Sequence, residues 1–385
     1  MSIASSPLCA RSPADRDRVD DRRPKVIAFY LPQFHPVPEN DAWWGPGFTE
    51  WRQVVRARPR FPGHAQPTLP TELGFYDLRV PETRADQADL ARDHGIDAFC
   101  YYHYWFDGRR VLHAPLDGVL SSGEPDFPFA LCWANESWTR AWDGRTGEVL
   151  LEQSYSPADD LAHIRWLAPV LSDPRYLRTD GRAVLLVYHA TKLPDPQRTA
   201  DTWRTEAARL GVGELYLCRV ESFPEETGDP STIGFDAAVE FQPAWRRLGQ
   251  PMRRERYWYW LRRAGLSASA YGEDRIYSYP DVVAMMEATA DVTYVRHPGV
   301  TPAWDNSPRR TQDYAIIFQG STPDAYRGWL ESALARGLRQ REPLVFVNAW
   351  NEWGEGAVLE PSDRWGRRYL EATRDAVRAV QNSSP

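Results

Sequence analysis

A single (β/α)8 barrel, the α/β TIM-barrel architecture, is the fold class that this sequence of 385 residues predicts. Eight short apolar runs, rich in β-branched and aromatic residues, are typical of buried strands, and most are separated by helix-like stretches. Alternating strands and helices form a parallel sheet, and eight strands close a barrel. Polar and aromatic residues follow each run, at positions that converge on one face of a barrel, where active sites lie.

The predicted elements follow one another in order. Strands are expected at 25–31, 96–104, 127–134, 183–188, 215–220, 235–241, 292–302 and 344–350, and the run at 315–318 competes for the seventh position. Helices are expected at 81–94, 157–171, 199–210, 280–288, 322–335 and 364–380. A basic, aromatic helical insertion is expected after strand six, at about 252–263.

Two segments fall outside this alternation. Residues 1–24 are rich in Ser, Pro, Arg and Asp and predict a disordered tail before a single domain at 25–380. Residues 37–79 form a long irregular segment that contains Trp43, Trp44, Glu50 and Trp51. Because loops this long are functional or disordered, and this one is too aromatic for disorder, we expect it to cover one end of the barrel.

Composition limits the partners. The net charge is −7 and no basic stripe is present outside the tail, which argues against nucleic acid. Cys9, Cys100, Cys132 and Cys218 form neither a disulfide framework nor a CxxC site. No apolar run reaches the roughly 18 residues of a membrane helix, and no secretory signal is visible, so we expect a cytoplasmic protein. The 17 Trp, 18 Tyr and 14 Phe suit a carbohydrate ligand, whose apolar ring faces stack on aromatic side chains.

The stretch at 344–356 carries the most chemistry. It begins as a buried strand and ends in Glu352 and Glu355, which lie among indoles, an amide and glycines. Glycosidic bonds are usually cleaved by two carboxyl groups. In an extended strand, Cα atoms at this spacing lie about 10 Å apart with side chains on opposite faces. Both can face one cleft only if the chain bends after Glu352, which Gly354 and Gly356 permit. Other carboxylates compete, and spacing alone does not select the pair.

The predicted substrate-binding residues are polar or aromatic side chains at the strand ends and in the long loop. They are Tyr30, His35, Glu50, Tyr102, His103, Tyr104, Trp133, Asn135, Glu136, Tyr188, Glu240, Gln242, Trp304, Asn306, Trp350 and Asn351. Glu50, Glu136 and Glu240 are also the rival carboxylates. We expect no metal and no cofactor, because His35, His103 and His189 lack ligand-like spacing and no HExxH motif occurs.

Several long motifs resemble a known family. The letters NEWGEG at 351–356 resemble the signature of glycoside hydrolase family 99. AFYLPQFHP at 28–36, GFTEW at 47–51, FCYYHYWF at 99–106 and WANESW at 133–138 resemble the WbsX-like group, which is similar to family 99 in fold. The resemblance covers about 25–379, nearly the whole chain.

The resemblance implies a (β/α)8 barrel that acts on glycans. Family 99 enzymes are retaining endo-α-mannosidases whose favoured mechanism passes through a 1,2-anhydro sugar. Carried over by motif position, Glu352 would deprotonate the sugar 2-hydroxyl and Glu355 would be the acid/base. The WbsX-like group occurs among polysaccharide and O-antigen biosynthesis genes and is often labelled glycosyltransferase.

Three functions therefore remain open at this point. A glycoside hydrolase acting on a bacterial-type polysaccharide fits the carboxylates best. A glycosyltransferase that uses nucleotide sugars would usually show a DxD motif after a strand or glycine-rich Rossmann turns. The DxD in this chain, at 15–17, lies in the predicted tail, and no GxGxxG follows a strand. The third possibility is an inactive glycan-binding barrel.

Overall fold

A parallel barrel forms the centre of the computed structural model, which describes residues 23–140, 145–252, 260, 264–266, 274–310, 315–341 and 343–383. The barrel strands are β1 (Lys25–Tyr30), β2 (Ala98–Phe106), β3 (Phe129–Trp133), β4 (Arg182–Val187), β5 (Leu215–Glu221), β6 (Ala237–Glu240), β7 (Arg296–His297 with Gly299–Val300) and β8 (Leu344–Val347). Each strand pairs in parallel with its neighbour in chain order, and β8 returns to pair with β1. The predicted barrel is confirmed.

The seventh strand consists of two pieces of two residues each. Its first piece pairs with β6 and its second with β8, so the barrel closes across Pro298. Gly299 is needed there because a Cβ would collide with the main-chain carbonyl of Glu240. The competing run overlaps a strand at Ile316–Gln319, which pairs with Arg275–Ser278 in a separate two-stranded sheet. The prediction of strand seven at 292–302 is therefore confirmed, although its paired residues are fewer.

Helices connect most of the barrel strands. They are α1 (Pro38–Trp44), α2 (Trp51–Val54), α3 (Pro81–Asp93), α4 (Ala114–Ser122), α5 (Pro157–Leu171), α6 (Pro196–Arg209), α7 (Tyr279–Glu287), α8 (Pro323–Gln340) and α9 (Arg368–Ser383). Three begin in the same way: the side chain of Ser156, Asp195 or Thr322 accepts a main-chain N–H three residues on, and proline follows directly. These caps satisfy donors that have no partner inside the helix.

Some smaller elements were not predicted. They include α4 and an antiparallel hairpin of Trp138–Arg140 with Arg145–Leu151. A short strand at Arg109–Val111 pairs antiparallel with the end of β2, and another at Arg178–Thr179 pairs antiparallel with the start of β4. Asn351–Glu352 pairs antiparallel with Ala357–Val358. Short 3-10 helices occur at Ala190–Lys192, Pro230–Ile233, Trp245–Arg247, Ser307–Arg309 and Trp353–Glu355. The predicted tail at 1–24 and the insertion at 252–263 lie almost wholly outside the described residues.

The core has two main layers. Ile27, Phe29 and the free thiols of Cys100, Cys132 and Cys218 fill the barrel interior. A larger layer packs between the outside of the sheet and the helices. The irregular segment at 37–79 is ordered and contributes the buried Trp51 and Val54 of α2 to that layer. Among the residues described, no helix is both long and apolar enough to cross a membrane.

Candidate active site

The turn after β8 brings both predicted catalytic glutamates to one place. Asn351–Glu352 is extended, Trp353–Glu355 forms a single 3-10 turn, and Gly356 has a left-handed φ of 63°. Glycine adopts this conformation without the cost that a Cβ brings. The chain therefore leaves strand geometry directly after Glu352, as the spacing of the two glutamates requires.

Arg309, in the 3-10 helix Ser307–Arg309 after β7, joins three carboxylates. Its Nη2 donates to Glu352 Oε2 at 2.7 Å, and its Nη1 lies 2.6 Å from Glu355 Oε1. Its Nε also donates to Glu50, directly before α2, and its Nη2 lies 3.0 Å from Glu50 Oε2. Gln33, just after β1, donates a further hydrogen bond to Glu50. We call Glu50, Glu352, Glu355 and Arg309 the carboxylate cluster.

Gly354 makes this packing possible. A Cβ at this position would collide with the Glu50 carboxylate and would lie 2.8 Å from Arg309 Nε. The absence of a side chain therefore allows a carboxylate from the long loop to lie directly against the turn that carries Glu352 and Glu355. Glycine serves here by its size, which is a different role from that of Gly356.

Burial sets the electrostatics of the carboxylate cluster. It is the largest cause of the raised pKa of both Glu352 and Glu355, because a charged carboxylate loses its hydration. Arg309 opposes the rise at both groups, and the charge of Glu50 adds to it. The site therefore favours a shared proton on neighbouring carboxyl groups, which is the arrangement needed for general acid and base roles.

Three tyrosines surround the carboxylate cluster. Burial chiefly raises the pKa of Tyr102 and Tyr104, and the charge of Glu352 adds to both shifts. Burial also raises the pKa of Tyr188, which lies within the electrostatic reach of both Glu136 and Glu355. These phenols stay protonated at neutral pH, so they are available as hydrogen-bond donors beside the glutamates.

A second polar group lies at the ends of β3 and β4. Asn135 is fully buried and exchanges two hydrogen bonds with the main chain of His189, each 2.8 Å long. The Nε2 of His189 lies 2.9 Å from Glu136 Oε1, and its ring stacks on Phe223. Burial alone would lower the pKa of His189, but hydrogen bonds to Glu136 and Glu226 raise it overall. Glu136 is half-exposed and can reach a ligand.

Several predicted binding residues have partners within the fold. The ring of His103 stacks on Trp166 and its Nε2 lies 3.0 Å from His163 Nε2, while burial lowers its pKa to about 3. Burial likewise lowers the pKa of His35 to about 4. Trp133 donates its indole N–H to the Trp105 carbonyl. Among the described residues no group of three or more His, Cys, Asp or Glu could hold a metal ion.

The remaining predicted residues are also buried. Glu240 forms ion pairs with Arg296 and with Arg336 of α8, and Gln242 accepts the Ala244 N–H. Three of the others form hydrogen bonds: Tyr30 with Gln87, Asn306 with the Ile316 N–H and Asn351 with the main chain of Leu31. The other two pack against aromatic rings, Trp304 on Trp245 and Trp350 on Phe99. Their role as ligand contacts stays a prediction.

Arg309 and Gln33 were not among the predicted site residues. Both were recognised as polar residues at the ends of predicted strands one and seven, but neither was selected as a binding residue. Nothing in the sequence links Arg309 to Glu50, because 259 residues separate them. Glu360, a buried carboxylate that forms no salt bridge with any described residue, was also missed because it follows the recognised motif.

The family model of Glycosyltransferase WbsX matches residues 26–373, which is most of the chain. The chain belongs to the WbsX family. The family is named for carbohydrate chemistry. In this member, the polar cluster lies at the carboxyl ends of the barrel strands.

Curated relatives of this WbsX-family chain are longer. Two proteins named "Uncharacterized protein WxcX", from Xanthomonas campestris pv. campestris strains B100 and ATCC 33913, are each 46% identical over 355 residues. The match covers 91% of this chain and 49% of each relative. The chain thus spans about half the length of the curated relatives it matches.

Solved structures share the barrel at low sequence identity. A "Glycoside hydrolase-like protein" superposes with a TM-score of 0.56 at 16% identity and covers 97% of both chains. The GH99 endo-α-mannosidase from Bacteroides thetaiotaomicron, solved in complex with bis-tris propane, gives a TM-score of 0.52 at 16% identity. That match covers 94% of this chain and 98% of the mannosidase. At this identity the likeness establishes the common fold.

Proposed function

We propose that this WbsX-family chain is a retaining glycoside hydrolase, similar to the endo-α-mannosidases, that acts on a bacterial polysaccharide such as O-antigen. One observation carries the proposal: the carboxylates of Glu352 and Glu355 both pair with the guanidinium of Arg309, in one cluster after β8. Paired carboxyl groups with raised pKa values are the groups that glycoside cleavage needs. The predicted cytoplasmic location stays a prediction.

The mechanism assigns one proton transfer to each glutamate. Ionised Glu352 takes the proton of the sugar 2-hydroxyl, and the resulting oxygen attacks the anomeric carbon to form a 1,2-anhydro sugar. The glycosidic bond breaks as Glu355 gives its proton to the leaving oxygen. Glu355 then takes a proton from water, which opens the anhydro ring, and Glu352 returns its proton to the 2-hydroxyl. Two displacements at the same carbon retain its configuration.

Arg309 makes a division of roles possible without assigning the proton to one glutamate, because it opposes the pKa rise at both. Its positive charge offsets part of the cost of burying carboxylates, so that one of them can be ionised while the other keeps a proton. The three hydrogen-bonded carboxylates also fix the guanidinium from several sides, which fixes the glutamates in turn. We infer that a sugar hydroxyl replaces part of these contacts when substrate binds.

A glycosyltransferase is the second candidate, and the family name favours it. The charge of the cluster argues against a sugar-nucleotide donor at this position. The three carboxylates outnumber the Arg309 guanidinium they share, so a diphosphate placed against them would be repelled when all are ionised, and Arg310 offsets part of this charge at Glu355. A donor without a phosphate next to the glutamates would avoid this repulsion.

The test compares the wild-type protein with Glu355→Gln on a panel of α-linked mannans and O-antigen polysaccharides, with and without nucleotide sugars. We expect new reducing ends without any donor, and their loss in the variant, because an amide cannot give up a proton at neutral pH. Glu206→Gln is the matched control, since Glu206 lies on α6, far along the chain from the cluster, and pairs with the exposed side chains of Arg165 and Arg209. Extension that requires a donor would favour the transferase, and binding without turnover would favour an inactive barrel.

Bis-tris propane offers a probe that does not depend on the natural substrate. This polyol diamine is bound in the solved mannosidase. We expect it to bind this chain too, because its amines are cationic and the carboxylate cluster is negative. Calorimetry should show weaker binding to the variants Glu352→Gln and Glu355→Gln, and equal binding in all proteins would place the probe elsewhere.

A further inference from the structure

Behind the catalytic turn lies Glu360, a buried carboxylate that the proposed mechanism does not use. It follows Ala357–Val358 and is 3% exposed. Its Oε1 accepts the Gln87 side-chain amide at 2.6 Å, and its Oε2 accepts the Tyr76 hydroxyl at 2.8 Å and the Trp353 indole N–H at 2.7 Å. These donors are neutral, and no described residue forms a salt bridge with Glu360.

Trp353 connects this carboxylate to the active site. It lies between Glu352 and Glu355 in the chain, and its ring packs on Trp51 at 5.8 Å. Trp51 directly follows Glu50 and donates its indole N–H to the Tyr76 carbonyl. Glu360 therefore bonds to Trp353, in the turn that carries Glu352 and Glu355, and to Tyr76, whose carbonyl holds the residue that follows Glu50.

The surrounding network leaves little freedom at Glu360. Gln87 is oriented from both sides, because its amide oxygen accepts the Tyr30 hydroxyl while its amide nitrogen donates to Glu360. The Tyr76 hydroxyl oxygen also lies 3.4 Å from the Asn351 amide. The Glu360 carboxylate accepts from Gln87, Tyr76 and Trp353 at once, and the Trp350 side chain also lies close enough to lower its pKa.

We propose that Glu360 is a positioning residue whose ionised carboxylate anchors Trp353, and with it the turn that presents Glu352 and Glu355. The importance of that turn rests on the proposed function, whereas the anchoring itself can be tested on the protein alone. If Glu360 takes up a proton, it becomes a donor among donors, and one hydrogen bond must break or rearrange.

The titration of Glu360 falls near neutrality. Burial is the largest cause, and it raises the pKa of Glu360 to about 7 against the hydrogen bonds that lower it. Among the described residues, the titratable groups that act with it are Tyr30 and Tyr76. Burial raises the pKa of both tyrosines, the charge of Glu360 raises it further, and Arg84 opposes the rise at Tyr30. Tyrosines with raised pKa values and an arginine keep their protons near pH 7.

The test uses fluorine NMR of protein labelled with fluorotryptophan, in which the Trp353 signal is assigned with Trp353→Phe. We expect this signal to shift with a midpoint at about pH 7 in the wild type. The component of the shift with this midpoint should be absent in Glu360→Gln, where only the titration of Glu352 and Glu355 remains, and the whole profile should be unchanged in Glu206→Gln. A Trp353 signal that does not titrate, or that titrates equally in Glu360→Gln, would overturn the proposal.

Two further measurements separate positioning from simple structural support. Between the ordinary glutamate pKa and about 7, the folded state binds the extra proton, so rising pH lowers stability through Glu360. We therefore expect the fall in Tm across this range to be smaller in Glu360→Gln. On a glycan cleaved by the wild type, kcat should fall roughly 100-fold with little change in KM, because the glutamates are displaced. If Glu360→Gln lowers Tm and kcat together at every pH, Glu360 supports the fold as a whole, and the proposed positioning role is contradicted.

Tyr76→Phe provides a second variant if Glu360→Gln does not fold. It removes one hydrogen bond that lowers the pKa of Glu360 and leaves the carboxylate in place. The midpoint of the Trp353 shift should therefore move to higher pH. Loss of turnover in Glu355→Gln tests the proposed function separately, and a midpoint unchanged by Tyr76→Phe would contradict the anchoring alone.

Discussion

Trp353 lies next to two carboxylate sites, which are stabilised in opposite ways. In the carboxylate cluster, Glu352 and Glu355 share the guanidinium of Arg309. In the other site, Glu360 is held by neutral donors. Burial raises the pKa in both places, but a cation offsets the rise in only one of them. We therefore infer that the carboxylate cluster exchanges protons with the substrate, whereas Glu360 holds the turn in place.

The comparison predicts its largest effect at Arg309. Arg309→Met would remove the cation that Glu50, Glu352 and the partly exposed Glu355 share, and we expect a loss of about 3–5 kcal/mol in the free energy of unfolding near neutral pH. The loss should shrink at about pH 5, because the carboxyl groups then take up protons and lose their charge. Urea unfolding at both pH values measures it.

Arg165→Met is the control for that change. Arg165 pairs with Glu206 on the protein surface and is 54% exposed. Water screens such a pair, so the variant should lose far less stability and show little dependence on pH. An equal loss from Arg309→Met at both pH values would show that packing, and not charge, dominates the effect.

Gly354 tests how closely the two sides of the cluster must pack. Gly354→Ala places a methyl group against Glu50 and Arg309, and we expect a loss of about 1–3 kcal/mol from overpacking. Gly328→Ala is the matched control, because a Cβ there meets nothing within 4 Å. Gly328 lies inside α8, so alanine should stabilise that helix by up to about 1 kcal/mol. Adding Glu50→Ala should recover part of the loss at Gly354, and a purely additive double variant would contradict the collision.

The smallest effects come from removing one neutral donor at each site. Gln87→Met leaves Glu360 Oε1 and the Tyr30 hydroxyl without a partner, and should cost about 1–3 kcal/mol. Gln33→Met removes a donor from Glu50, which keeps Arg309, and should cost about 1 kcal/mol or less. Chemical denaturation of both variants gives the order, and the reverse order would remove the distinction between the two sites.

The sequence predicted the barrel and the bend after Glu352 because both depend on local patterns. Strand hydrophobicity and the glycines at 354 and 356 are visible within a few residues. Strand seven was harder, since its pairing needs only Arg296–His297 and Gly299–Val300. The antiparallel pair of Trp138–Arg140 with Arg145–Leu151 was missed, because its first strand has only three residues and its register shifts twice, which leaves no regular alternation to recognise.

Long-range partners could not be predicted in the same way. Glu50 was named as a candidate, but its contact with Arg309 spans 259 residues and depends on Gly354 having no side chain. Glu360 meets Gln87 across 273 residues. Conversely, Trp350 and Asn135 were predicted from their strand-end positions, yet the fold buries both completely. Position at a strand end therefore indicates the face of the barrel but not the direction of the side chain.

The most direct test of the hydrolytic centre is to follow glycan cleavage in water enriched in heavy oxygen, without a sugar donor, by mass spectrometry. We predict that wild-type protein places one heavy oxygen at each new reducing end, and that Glu352→Gln and Glu355→Gln place almost none while Glu206→Gln behaves as wild type. Heavy oxygen incorporated equally by the Glu355→Gln variant, or glycan extension that occurs only with a donor, would contradict the assignment of hydrolysis to these carboxylates.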